Sequence, residues 1–194
     1  MEKMQFKAVE LKFLSDDIIK QIRNWRNQDF VRLQMFTQDI IGEKEHIKWV
    51  ETIKKDENRH LFVFFLDDKP FAVVQSRYYP EYDYVETGDY LISTDYQALG
   101  YGTFLKYYTN EIMYYVLNYN TIHGEILDTN KKNINVGKRL FNNVKKVEEP
   151  RIVAGEFHDV YIIDSCKSDW ENNQKRHLEK LVNRFIDSDI EIMI

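Results

Sequence analysis

A single cysteine, Cys166, stands in a chain of 194 residues, which excludes an internal disulfide and fits a reducing compartment. Long apolar runs are missing too. The longest, Leu61 to Leu66, falls far short of the roughly 20 residues that a membrane-spanning helix needs. The opening residues, Met1-Glu2-Lys3-Met4-Gln5, contain no apolar stretch of the signal-peptide kind. These shortages lead us to expect a cytoplasmic protein with no membrane partner. Positive charge is also in deficit, 27 Lys and Arg against 32 Asp and Glu. That balance argues against a partner recognised through nucleic-acid phosphates. The five histidines (His46, His60, His123, His158, His177) form no H-x-x-x-H or Cys/His spacing, so no metal site is expected. Glycine is scarce, at seven. Two of the seven stand one residue apart at Gly100 and Gly102, and there the positive signals begin.

With 43% hydrophobic and 30% charged residues, the chain reads as one globular domain able to bury a core. Val9, Leu11 and Phe13 alternate with polar residues and predict a first strand. Ser15-Asp16-Asp17 caps a helix carrying Ile18, Ile19, Ile22 and Trp25. A second helix is expected from Glu43 to Lys55, burying Ile47, Val50 and Ile53. Leu61–Leu66, the turn Asp67-Asp68-Lys69-Pro70 and Phe71–Tyr79 predict a hairpin, followed by a strand from Tyr84 to Ser93. The helix expected after it, Thr103 to Asn118, buries Phe104, Leu105, Tyr108, Ile112, Tyr115 and Val116. Then follow a strand at Thr121–Leu127, a short helix at Asn130–Leu140, strands near Asn143–Val147 and Ile152–Asp164, and a charged helix from Asp169 to Phe185. This order predicts an α/β (α+β) domain around a mostly antiparallel sheet with flanking helices.

Between strand and helix lies Gln97-Ala98-Leu99-Gly100-Tyr101-Gly102. A loop leading into a helix presents unpaired N–H groups at the positive end of the helix dipole, and glycines let an anion approach them. An ordinary strand-to-helix turn would also account for a lone G-x-G. Flanking features add to it: Glu86-Thr87-Gly88-Asp89-Tyr90-Leu91 on the preceding strand, and Asn130 after the next, with Val136 and Leu140 following. In this order and spacing the residues resemble the GNAT superfamily of acyl-CoA N-acetyltransferases. The resemblance covers roughly residues 5–165. It divides the chain into an acetyltransferase domain at 1–168 and a C-terminal helical extension at 169–194.

The resemblance implies acetyl-CoA as donor and direct transfer of its acetyl group to a primary amine in a ternary complex. The N–H groups from Leu99 through Gly100, Tyr101, Gly102 and Thr103, with Gln97 at the start of the loop, would hold the pyrophosphate. In the family the strand before the loop splays from its neighbour at a bulge. The corresponding strand end, Leu91, Ile92 and Ser93, would bind pantetheine and face the thioester carbonyl. Asn130 matches an asparagine that contacts the cofactor arm, and it would equally cap its own helix. Glu86 is the expected base or water-holder for the amine, unless it is only a strand carboxylate facing solvent. Asp89, three residues on, falls on the opposite face of an unbulged strand. Many relatives carry a tyrosine seven residues after the asparagine to protonate the thiolate, and here that position is Gly137. Tyr161 and His158 are possible substitutes.

Ile22-Arg23-Asn24-Trp25-Arg26-Asn27, with Met35, His46 and Trp49, is similar to the first helices of bacterial N-acetyltransferases acting on UDP-linked 4-amino-4,6-dideoxy sugars of the pseudaminic acid type. On that likeness Arg26 would meet a diphosphate, and His46 or Trp49 a base or sugar. The same residues would serve as core anchors and surface groups in a purely structural role. Lys131-Lys132 and Lys138-Arg139 read as a solvated face or as contacts for the 3′-phosphate of coenzyme A. Ribosomal-protein or other peptide acetylation, polyamine acetylation, and a non-catalytic acyl-CoA-binding domain stay open, as does a homo-oligomer built on the last helix.

Overall fold

The computed structural model describes residues 4–97, 99–141, 144–183 and 190–194. Ala98 of the glycine loop, Asn143 at the expected start of a strand and Phe185 at the expected end of the last helix lie outside them. The centre of the fold is an apolar hairpin, β2 (Arg59–Leu66) and β3 (Lys69–Tyr79). Its turn residues Asp67 and Asp68 both take positive φ, 45° and 64°, as a tight hairpin turn requires. Leu61 through Leu66 are all buried because both faces of β2 are covered, so the run is continuous rather than alternating. One face packs Phe6, Phe62, Phe64, Phe71 and Val74 on a later helix; the other packs Leu61, Val63, Phe65 and Val73 under the first helices.

Around the hairpin runs an eight-stranded sheet, ordered β10-β1-β2-β3-β4-β5-β9-β6. Its members are β1 (Phe6–Glu10), β4 (Tyr84–Leu91), β5 (Thr121–Leu127), β6 (Val144–Lys146), β9 (Val160–Cys166) and β10 (Glu191–Met193), besides the hairpin. Most pairings are antiparallel; β4 with β5 and β1 with β10 are parallel. This is the mixed, mostly antiparallel architecture expected. The helices are α1 (Asp16–Asn27), the short α2 (Asp29–Arg32), α3 (Glu43–Lys55), α4 (Tyr101–Glu111) and α5 (Lys131–Leu140). None of the helices is long and apolar enough to cross a membrane, among the described residues.

Several expectations are corrected. The first strand ends at Glu10, and Leu11–Phe13 turn as a 3-10 segment that leaves Phe13 half exposed. In α3 the buried positions are His46, Val50 and Ile53, while Ile47 faces water. The stripe admits a histidine because its Nε2–H donates to the Ile19 carbonyl at 2.8 Å. Tyr115 is exposed rather than buried. At Ile112 the helix passes into a π-helical turn, Ile112–Val116, and the wider turn shifts the inward face to Ile112, Met113 and Tyr114. The strand expected over Ile152–Asp164 is broken into a hairpin, β7 (Arg151–Val153) and β8 (Glu156–His158), and then β9. Ala154 and Gly155, at φ 51° and 87°, make the hairpin turn.

The C-terminal segment runs through α6 (Lys167–Asp169), a π-helical stretch (Trp170–Gln174) and α7 (Lys175–Val182). Trp170, Leu178 and Val182 are buried in the same apolar cluster as α4. Trp170 Nε1–H donates to Glu111 at 2.8 Å, and β10 pairs with β1.

Candidate functional site

The sheet opens at one place. β4 runs in unbroken register with β3 from Tyr84 to Leu91, yet it meets β5 only at Val85 and Glu86. Beyond Glu86 the two strands part, with no bulge in β4. Ile92 N–H donates to the Phe71 carbonyl at 3.0 Å. Backbone groups alternate sides along a strand, so those of Asp89 and Leu91 point to the open edge, while the Thr87 N–H closes the last parallel pairing, Glu86 with His123. The free edge is roughly 15 Å long. Leu91 thus stands among available donors, whereas Ile92 does not: its N–H belongs to β3, and its carbonyl accepts Gln28 Nε2–H at 2.9 Å. Ser93 is turned to local use, its hydroxyl capping the Asp95 N–H at 3.2 Å.

The open edge leads to the glycine loop. Gly100 is the N-cap of α4 with φ 93°, a conformation glycine adopts without strain. No side chain caps this end and no acidic residue occupies the first turn. The first helical bond runs from Phe104 N–H to the Gly100 carbonyl, which leaves the N–H groups of Gly102 and Thr103 outside the helical ladder. The Tyr101 ring packs at 5.8 Å from Phe71 and 5.4 Å from Tyr96, so its side chain anchors the loop. Leu99 and Gly102 are exposed. Gln97 Oε1 accepts from Lys132 Nζ at 2.8 Å, joining this loop to the first turn of α5. Asn130 caps α5 through the Asn133 N–H at 3.2 Å. Gly137 is held tightly: a Cβ there would strike Cδ1 of Ile163 on β9.

Glu86 and Asp89 face opposite sides of the sheet. Asp89 pairs with Lys106 of α4 at 3.3 Å. Glu86 Oε2 accepts from Tyr79 O–H at 3.0 Å on the other face. Burial, then the hydrogen bond to Glu86, pushes the Tyr79 phenol up, so it remains a donor.

On that same face lies a group that sequence reasoning missed. Glu125 accepts from both terminal guanidinium nitrogens of Arg151 from β7, and His123 Nε2 stands 3.8 Å away. His123, then Arg151, holds the Glu125 carboxyl down to about 2. His123 Nδ1 lies 2.7 Å from Asp164, and the neighbouring carboxylates, Glu125 first, raise its pKa. The rings of Tyr79 and Tyr82 lie 5.2 and 5.9 Å from Tyr84, and Arg77 stands 4.8 Å over Tyr79. The alternation His123-x-Glu125 was the available signal, but the partner that completes it comes from a hairpin read as continuous strand.

The residues expected to meet an acceptor lie on and beside the first helices. Arg26 donates to the Thr37 carbonyl at 2.7 Å and fastens the segment after α2. His46 is 6% exposed and stacks 5.6 Å from Trp49, which packs at the edge of the cluster under α1 and α3. Burial lowers the His46 pKa, in keeping with a neutral ring that ties α3 to α1. Tyr161 packs against Lys138 at 5.5 Å, and His158 lies 2.9 Å from Asp128.

A profile of the Acetyltransferase (GNAT) family matches residues 19–140, more than half of the chain. No curated protein matches the sequence. Among solved structures, the Campylobacter jejuni N-acetyltransferase PseH in complex with acetyl coenzyme A is similar at 17% identity. That match has a TM-score of 0.60 and covers 84% of this chain and 99% of that one. Spermidine N-acetyltransferase from Vibrio cholerae, in complex with CoA and spermine, is similar at 15% identity and TM-score 0.73, covering 88% and 99%. RimL, a ribosomal L7/L12 alpha-N-protein acetyltransferase, is similar at 12% and 0.67, covering 86% and 95%. At such identities the likeness is one of fold.

Proposed function

The chain belongs to the Acetyltransferase (GNAT) family, and on that premise we propose that it transfers the acetyl group of acetyl-CoA to a primary amine seated against Glu86. The observation that carries this reading is the open edge of β4 leading from Glu86 to the glycine loop. The N–H groups of Gly102 and Thr103 would hold the pyrophosphate at the head of α4. The pantetheine arm would lie extended along Asp89 and Leu91, whose strand-edge N–H groups steady the thioester oxygen as negative charge develops. The amine attacks the carbonyl carbon, the C–S bond breaks, and the surplus proton passes to Glu86 directly or through water. Tyr79 fixes the Glu86 carboxylate for that task. The reading takes transfer to be direct, without a covalent enzyme intermediate; among the described residues the hydrogen-bond partner of Cys166 Sγ is Ser168, at 3.2 Å.

For the acceptor, the tyrosine ladder Tyr79, Tyr84 and Tyr82 with Arg77 favours an amine carried on a ring with an anionic attachment, which is the chemistry of a nucleotide-linked amino sugar. A polyamine would want free carboxylates, but Glu125 and Asp164 are already paired with Arg151 and His123. His46 is held by the Ile19 carbonyl, and Arg26 gives one terminal nitrogen to the Thr37 carbonyl while its Nη1 is buried without a partner among the described residues. The test is the initial rate with acetyl-CoA and four amines: a UDP-4-amino-4,6-dideoxy sugar, the free amino sugar, spermidine and a peptide with a free N-terminus. The nucleotide-linked sugar should be preferred. Equal rates on linked and free sugar, or a preference for peptide or spermidine, would overturn the acceptor and leave acetyl transfer standing.

A further inference from the structure

Where β4 and β5 part, a small cavity opens between the sheet and α4, lined by Thr87, Ile122, Gly124 and Ile163 from the strands and by Lys106 and Asn110 from the helix. Two of its polar atoms, Thr87 Oγ1 and Asn110 Nδ2, have no protein partner, although their residues are only 8% and 1% exposed. Buried polar atoms are almost always paired, so an orphaned pair marks the seat of a polar occupant. Lys106 brings a cation to the same place. Its side chain is 15% exposed, and its Nζ lies 3.3 Å from Asp89 on the open-edge strand. An ion pair so sheltered loses much of its hydration, and its own attraction gives weak reason to keep it under a sheet.

We propose that Lys106, steered by Asp89, is the cation that stabilises the leaving thiolate of coenzyme A. The inference rests on the reading that the thioester arm lies along the free edge of β4, with its sulfur at the cavity. When the amine nitrogen forms its bond to the carbonyl carbon, the C–S electron pair is left on sulfur. The amine's proton departs on the Glu86 face, so the sulfur leaves as a thiolate and takes up a proton from solvent on release. Lys106 supplies the opposite charge during that interval, and Thr87 O–H with Asn110 N–H donate to the same sulfur. The α5 side offers no hydroxyl in their stead, because Gly137 is pressed against Ile163. Among the described residues, Lys106 is the cation that lines the cavity.

The experiment is the thiol titration of CoA bound to the full chain, read from the ultraviolet absorbance of the thiolate. Near neutral pH the bound thiolate fraction should exceed that of free CoA about tenfold, the effect of one close opposite charge. Lys106→Arg should keep that excess and Lys106→Met should abolish it. Because Lys106→Met leaves Asp89 unpaired and risks the fold, Lys106→Met/Asp89→Asn is measured beside it. In both Met variants kcat should fall about a hundredfold while KM for acetyl-CoA stays within about threefold. CoA bound to the unaltered protein with an ordinary thiol, or an excess that survives in the Met variants, overturns this inference and spares the acetyl-transfer reading. Failure of CoA to bind at all overturns both.

Discussion

Single residues carry the sharpest consequences. Gly100 holds φ 93°, where an L side chain is strained by roughly 1–2 kcal/mol. Gly100→Val should therefore raise the dissociation constant for acetyl-CoA at least about tenfold, by calorimetry, in a protein that still folds. Glu86 differs, since it lies on the face away from α4. Glu86→Gln should lower kcat by about a hundredfold while leaving KM for acetyl-CoA nearly unchanged, the range expected for a positioned base. Tyr79→Phe should reproduce part of that loss, because it frees the carboxylate to turn. An unaltered kcat in Glu86→Gln would remove the base from the mechanism. Cys166→Ala should retain full activity, and intact-mass spectra during turnover should show no acetylated enzyme.

At the scale of elements, the contact between α5 and β9 decides what α5 can present. Glycine inside a helix is disfavoured by about 1 kcal/mol relative to alanine, so alanine at 137 would gain on propensity alone. Here its Cβ would meet Cδ1 of the buried Ile163 well inside contact distance. Overpacking of that kind costs about 1–3 kcal/mol. Gly137→Ala should thus be destabilising on balance, and adding Ile163→Val should relieve it, a coupling that urea unfolding of the double-mutant cycle will read. A stabilising Gly137→Ala would show that the contact yields. The C-terminal segment makes a second such contact, with Trp170 fully buried against Tyr107 and bonded to Glu111. Trp170→Ala should lower stability by about 3–5 kcal/mol. A loss below about 1 kcal/mol would mean that the segment from 169 onward merely rests on α4.

Across the whole molecule, one charged group links three distant parts of the chain: His123 and Glu125 on β5, Asp164 on β9 and Arg151 on the late hairpin. Glu125 titrates near 2 when folded, below its ordinary 4.5. Its stabilising contribution is therefore complete above pH 4.5 and is lost as pH falls toward 2. His123 is shifted upward from 6.5, so its contribution is complete below that pH and fades as pH rises through the folded value. The difference in unfolding free energy between the parent and Glu125→Gln should accordingly shrink on acidification through the carboxylate window. A difference that stays constant there would show that the pair adds nothing to stability.

Much of this was legible in order along the chain. The hairpin at Asp67-Asp68, the strand carrying Glu86, the glycine loop and the Asn130 cap follow from short-range physics: period-two alternation, tolerance of positive φ, and the needs of a helix end. The opposition of Glu86 and Asp89 followed from pleat alone. What local pattern could not supply depends on partners remote in sequence. His46 reads as a free imidazole until the Ile19 carbonyl is seen beneath it. Arg26 reads as a loose cation until Thr37 folds back onto it. The open edge of β4 exists because β5 leaves it after two residues, and the cavity at Lys106 exists because α4 crosses at that height. Periodicity and propensity are properties of neighbours along the chain, so the sequence by itself determined the elements and the loop. Which backbone groups stay unpaired, which carboxylate is already taken and where a cation faces a gap are set by strands and helices meeting across the sheet, and only the tertiary structure decided those.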